Sequence, residues 1–308
     1  MKRCLFTFIL IVITSVSLNN SVFAANDYYK QLNDRQKSLY QMMYDKFVID
    51  FELEFTISVN QVYERIPLVR VAGSYRNDVY LAYSALVNDN PDFFWGRQLL
   101  FHYTGGDLLM DQILQSSKLS DCKFSIIQDK TYNYKYQKLY DNAMIKAIRT
   151  INKRTKNTKS KYKKLCAIHD YICKKTRYDF KHGGIAKVKY AYLHNAYGAF
   201  VKNKAVCDGY SFAMKSLCDF YNIPCLVIYG KAKNDYGAYE KHVWNAVKIN
   251  KKWYMLDCTW DDSSKSKKWF LCGKRQISKT HIMIPKDSNV LYFNYFTYPK
   301  ISKKNYRK

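Results

Sequence analysis

Cys207, His242 and Asp257 are the residues whose types and settings could do covalent chemistry. A thiol, an imidazole and a carboxylate are the parts of a nucleophile, its general base and the group that orients the base. The run Val206-Cys207-Asp208-Gly209-Tyr210 opens a segment with Ala213, Leu217 and Phe220 at helical spacing. That pattern predicts a helix from Cys207 to about Tyr221. Cys207 then stands in the first turn, where unpaired N–H groups and the positive end of the dipole favour a thiolate. Cys218 and Cys225 have no such placement and read as packing residues or a local bridge.

Register brings the other two together. Ile223-Pro224 ends the helix, Cys225 to Ala232 reads as a buried strand, and His242–Ile249 and Trp253–Thr259 read as two more. A two-residue turn at Asn250-Lys251 sets Ile249 opposite Lys252, so Asp257 falls opposite Trp244, on the face that His242 shares. His242 and Asp257 are then diagonal neighbours with Cα atoms about 7–8 Å apart, within side-chain reach. A three-residue turn would send them to opposite faces. Taken singly, each has a plainer reading: an inert core thiol, a satisfied sheet histidine, a turn-capping aspartate. Their order and their elements together favour the triad.

With those residues in place, the run GAFVKNKAVCDGYSFAMKSLCDFYNIPCLVIYG followed by KHVWNAVKINKKWYMLDCTWDD resembles the transglutaminase-like superfamily, over roughly Lys163 to Leu271. The resemblance implies an α+β, papain-like core, with the catalytic Cys at the N-terminus of a helix packed on an antiparallel β-sheet. It assigns Cys207 as nucleophile, His242 as base and Asp257 as third member. The oxyanion would rest on the Cys207 N–H and a side chain from the upstream segment, with Tyr197 of His194-Asn195-Ala196-Tyr197-Gly198 as candidate. Trp244 is the candidate for shielding the thiol, and Asn245, Trp260 and Asp261 stand in the same motifs. Cys258 follows Asp257, on the opposite sheet face if the strand is regular, and could pair with another thiol. The superfamily includes cross-linkers, peptidases and proteins without activity. The expectation is a thiol acyl transferase acting on protein or peptide amides through a thioester. A cysteine peptidase with the same triad is second, and a non-catalytic envelope-binding module third.

The elements around this site divide the chain softly near Lys130 to Tyr134, giving an extension over 25–132 and a catalytic domain over 133–308. In the extension, Tyr28 to Phe47 and Val79 to Val87 read as helices, and Leu99–Tyr103 and Cys122–Gln128 as strands, with Gly105-Gly106 as a turn. Helices return at about Lys138–Ile151 and Ser160–Lys175, across a polar linker at 152–159. Residues 1–24 read as a secretory leader: Lys2 and Arg3 are its basic start, Leu5 to Ile13 its apolar run, and Val22-Phe23-Ala24 its cleavage site. The run is short of the ~20 apolar residues a membrane span needs. The expected product is secreted or associated with the cell envelope.

Lys and Arg number 51 against 25 Asp and Glu, a net charge of +26. Such a charge suits an anionic neighbour, a cell-wall polymer or a membrane surface. Nucleic acid is not expected, since no recognition motif or stacking platform appears. With 48% hydrophobic and 17% aromatic residues, disorder is excluded. The cysteines beyond residue 24 are even in number, which invites a disulfide framework. A chain of this size does not need staples, and a working thiol would leave the rest unable to pair completely. Cys166, His169 and Cys173 fall at i, i+3, i+7 and resemble a zinc cluster. They share a helical stripe with Tyr162, Leu165 and Ile172, so core packing is the favoured reading, and no CxxC pair is present. No cofactor or metal is expected, and no acidic loop has calcium-ligand spacing.

Overall fold

A computed structural model describes residues 27–50, 54–58, 72–97, 99–103, 106–109, 121–126, 134–184, 188–284 and 296–307. The expected leader over 1–24 lies outside the described residues. The helices in chain order are α1 (Asp34–Met43), α2 (Ala72–Asp89), α3 (Tyr134–Thr155), α4 (Lys161–Lys175), α5 (Cys207–Phe220), α6 (Cys258–Ser263) and α7 (Lys274–Ile277). The strands are β1 (Glu54–Ser58), β2 (Leu99–Tyr103), β3 (Gly106–Leu109), β4 (Asp121–Ile126), β5 (Arg177–Tyr178), β6 (Lys204–Ala205), β7 (Cys225–Lys233), β8 (Tyr239–Ile249), β9 (Lys252–Leu256) and β10 (His281–Met283).

One antiparallel sheet has the order β1-β4-β2-β3, and a second has the order β10-β7-β8-β9. Helix α5 lies on the second sheet and buries Phe212, Ala213, Met214 and Leu217. This is the α+β, papain-like arrangement: a helix whose first turn opens beside an antiparallel sheet. Strands β5 and β6 form a short parallel pair, with Tyr178 opposite Ala205, that leads directly into α5.

The β8–β9 hairpin has the anticipated register, Ile249 opposite Lys252 through Asn245 opposite Leu256. Asn250 and Lys251 have φ of 49° and 65°, both left-handed, as a two-residue turn matched to the strand twist requires. Strand β9 stops at Leu256, short of the expected Thr259. Asp257 leaves the strand and accepts a hydrogen bond from the Trp260 N–H (3.1 Å), so its side chain caps a new helix. Cys258 is therefore the first residue of α6 and has no sheet face.

The stretch from Tyr28 to Phe47 is not one helix. Asn33 and Gln36 form a reciprocal capping box that starts α1 afresh after a short turn at Tyr29–Gln31, and Tyr44–Ile49 continues it as a wider turn. Strands β1 and β3 were not anticipated; a four- or five-residue run carries little periodic signal.

One apolar core runs through both halves and includes Leu39, Phe47, Phe93, Leu165, Leu217, Val227 and Met255. Polar ties reinforce it. The Tyr28 hydroxyl donates to the Val227 carbonyl, and the Tyr229 hydroxyl donates to Asn88 Oδ1 (2.9 Å). The Tyr28 and Tyr29 N–H groups both donate to Asp89 (3.2 and 2.9 Å). Lys215 is wholly buried on α5 and paired with Asp219 (2.9 Å), so its charge is compensated inside the core. Among the described residues, Cys166, Cys173, Cys207, Cys218, Cys225, Cys258 and Cys272 are free thiols. Among the described residues no helix is long and apolar enough to cross a membrane.

Two expectations follow. Lys251→Gly relieves a left-handed backbone at a non-glycine residue and raises stability by about 1 kcal/mol in denaturant unfolding. Leu217→Ala empties part of the helix–sheet seam and costs about 2–5 kcal/mol in the same measurement.

Candidate active site

The first turn of α5 is held by close backbone contact. A Cβ on Gly209 would stand 2.4 Å from the Leu193 carbonyl oxygen and 2.7 Å from the Ala205 Cβ, so only glycine lets the turn seat against β6 and the segment before it. No side chain caps this helix end at Val206. Cys207 follows, half-buried. The Ser211 hydroxyl donates to the Cys207 carbonyl (2.9 Å), and Asn245 of β8 donates to the Ser211 carbonyl (3.0 Å). Asn245 also donates to the Leu226 carbonyl of β7 (3.2 Å). One buried amide thus ties the thiol's helix to the histidine's strand.

His242 is buried on β8, opposite Gly230 of β7. Its Nε2 donates to Asp257 Oδ2 (2.7 Å), and the Cys207 thiol is its second hydrogen-bond partner. The structure therefore brings Cys207, His242 and Asp257 into one chain of contacts. The tautomer is set by the carboxylate, which only accepts, so Nε2 carries a proton. Burial pushes the His242 pKa down, but the Asp257 charge and hydrogen bond, with a further contribution from Cys207, push it up to about 10. Burial likewise works against the Asp257 charge, and His242 and His281 outweigh it, holding the carboxyl well below the usual range.

His281, which the sequence reading did not single out, completes the carboxylate's shell. Its Nε2 donates to Asp257 Oδ2 (3.1 Å), and its Nδ1 lies 2.8 Å from the Thr280 hydroxyl. Burial, joined by the His242 charge, lowers its pKa against the pull of Asp257, so it serves as a neutral donor. It arrives through β10, which pairs with β7 and sets His281 opposite Ala232. No local pattern announces that pairing.

Trp244 is buried beside the pair, its ring 6.0 Å from the His242 ring and 4.9 Å from His281. Trp260 and Trp269 pack on His281 at 4.5 and 5.2 Å. These three indoles wall the imidazoles from water. The Trp244 ring lies over Gly230, where a Cβ would fall 2.4 Å from it.

Tyr197 sits elsewhere, in an aromatic cluster with Phe94 (5.1 Å) and Tyr136 (5.8 Å). The tyrosine that shares its electrostatic surroundings with Cys207 is Tyr178 of β5. Burial first, then Cys207, Asp208 and Asp257, push its hydroxyl pKa up. The β5–β6 ladder holds Tyr178 there, opposite the residue two before Cys207. A two-residue strand has no signature by which sequence could have found it.

Because the folded pKa of His242 lies above its ordinary value near 6.5, its pairing stabilises the fold fully below that pH and is lost as pH rises toward about 10. Asp257, depressed, contributes above about pH 4 and loses its contribution as acid protonates it. In an NMR titration the His242 ring stays protonated through neutral pH. Asp257→Asn removes the counter-charge and leaves burial unopposed by it, so the ring then titrates at or below about 6.5. An unchanged midpoint would contradict this account.

Residues 149–258 match the model of the transglutaminase-like superfamily. Two curated relatives are the mouse kyphoscoliosis peptidase, 27% identical over 116 residues, and its human counterpart, 26% identical over 101 residues. These matches take in 34% and 30% of this chain but only 17% and 15% of the relatives' own lengths. Among solved structures, a TGase superposes with a TM-score of 0.36 at 17% identity, over 52% of this chain and 43% of that one. The periplasmic domain of TgpA from Pseudomonas aeruginosa gives 0.30 at 14% identity, over 55% and 65%. A putative cysteine protease from Cytophaga hutchinsonii gives 0.29 at 14%, over 53% and 61%. The matched stretch, from within α3 to the first residue of α6, takes in Cys207, His242 and Asp257 and is similar to the transglutaminase-like superfamily.

Proposed function

We propose that Cys207, His242 and Asp257 form the catalytic triad of a thiol acyl transferase acting on protein or peptide amides. The observation that carries the reading is the contact chain from a thiol at an uncapped helix start, through a buried imidazole, to a buried carboxylate 2.7 Å away. His242 holds the proton taken from the thiol, and the Cys207 sulfur attacks the amide carbon, giving a tetrahedral oxyanion. The imidazolium returns the proton to the leaving amine, and a thioester remains. An incoming amine or water, deprotonated by His242, then releases the acyl group. Asp257 keeps the imidazolium oriented and charge-compensated throughout. The Cys207 N–H at the helix start is our candidate for the oxyanion, with the Tyr178 hydroxyl as its side-chain partner in preference to Tyr197.

A cysteine peptidase is the second reading, favoured by the likeness to the mouse and human kyphoscoliosis peptidases. It shares every step up to the thioester and differs in attacking a backbone amide with water as acceptor. The intact contact chain speaks against a non-catalytic module. Export through the 1–24 leader, retention near an anionic envelope by the net positive charge, and an extension before residue 133 that shapes the substrate cleft belong to the same proposal.

The experiment is mass spectrometry of a Gln-rich protein incubated with the enzyme and a primary amine, beside Cys207→Ala. Cys207-dependent amine adducts on Gln are the expected result. A mass gain of about one unit on Gln would mean water as acceptor, cut peptide bonds would promote the peptidase, and no Cys207-dependent product would sink the enzymatic reading. In the productive assay His242→Ala lowers kcat by roughly 10²–10⁴.

A further inference from the structure

Helix α4 presents a second cluster of ligating side chains on the far side of the Asp257 corner. On the sequence, Cys166, His169 and Cys173 are the neighbours; in the fold Cys166 pairs with the Tyr162 hydroxyl instead. Cys258, from the first turn of α6, takes the third place. The His169 nitrogen and the Cys173 and Cys258 sulfurs all lie within 4.8 Å of one another, the two flanking residues buried and Cys173 half-buried.

We propose that His169 Nε2, Cys173 Sγ and Cys258 Sγ bind a zinc ion, with solvent in the fourth position. The observed Nε2–Sγ separation is 3.7 Å between His169 and Cys173. Bond lengths of ~2.3 Å for sulfur and ~2.0–2.1 Å for nitrogen in a tetrahedron set that edge at about 3.6 Å. Asp261 Oδ2 lies 3.0 Å from the same Nε2, one turn after Cys258 on α6. Its other oxygen accepts from the Trp269 N–H (2.9 Å). Two thiolates and an imidazole select zinc over the oxygen-seeking calcium and magnesium.

The outer shell has the form metal-ligating histidines use. His169 Nδ1 lies 3.4 Å from Asp170 Oδ1, and Asp170 is held by Lys267 (2.6 Å) and Arg154. Binding replaces the two thiol protons and the Nε2 proton, which pass to solvent, and involves no change of oxidation state. Half-buried Cys173 marks the way in. The ion joins α4 to the start of α6, beside Asp257, and stands independently of what Cys207 does.

The test uses the full chain bearing Cys207→Ser, reduced and stripped with a chelator, then titrated with Zn²⁺ or Co²⁺. One equivalent of zinc binds, and cobalt gives thiolate charge-transfer and tetrahedral d–d bands. Cys173→Ser or Cys258→Ser, folded by circular dichroism, weakens zinc by at least roughly a hundredfold. Asp170→Asn weakens it by roughly ten- to a hundredfold. Cys166→Ser and His281→Ala leave it unchanged. The proposal is overturned if the reduced protein takes up no zinc, or if both cysteine variants bind normally. Loss of binding in His281→Ala would likewise overturn it, by moving the metal to the His242, Asp257 and His281 group. So would a Cys173–Cys258 disulfide that forms under mild oxidation with zinc present.

Discussion

A carboxylate inside a protein must be compensated on both oxygens or it destabilises the fold. Asp257 is such a group, almost fully buried, and the second half of this chain is arranged around it. Oδ1 accepts from the Trp260 N–H and starts α6, while Oδ2 accepts from His242 and His281. The two imidazoles differ in role because their surroundings differ. His242 has a thiol on its other side and keeps a positive charge. His281 has a threonine hydroxyl and indole walls and stays neutral.

The rest of the second sheet and α5 serve to hold a thiol at the right distance from that pair. Asn245 links the two by spanning the Ser211 and Leu226 carbonyls. The Tyr210 hydroxyl donates to Asp262 (2.7 Å) and ties α5 to α6, so the elements carrying Cys207 and Asp257 are joined directly as well. The glycines at 209 and 230 mark where backbone or indole must come closer than any side chain permits. The N-terminal segment contributes from behind. Tyr28 bonds to the β7 backbone and to Asp89 of α2, and Tyr229 of β7 bonds to Asn88 of α2, which joins the three elements.

Much of the candidate site was legible because its geometry is local. The hairpin register depends on a two-residue turn and a period of two, both visible in Asn250-Lys251 and the strands beside it. The helix start at Cys207 follows from apolar spacing. Asp257 caps α6 through Oδ1 and pairs with His242 through Oδ2, so the plainer reading as a cap coexists with the contact that the proposed triad needs.

What sequence alone determined is therefore the hairpin, the helix and the face on which His242 and Asp257 meet. Tertiary structure alone decided the company they keep. His281 reaches Asp257 through a strand that pairs out of chain order, a parallel pair two residues long brings Tyr178 within electrostatic range of Cys207, and Cys258 replaces Cys166 beside His169. Periodicity and turn chemistry act over a few residues. Pairings between segments tens of residues apart are set by which surfaces can be buried together, and no local pattern records that.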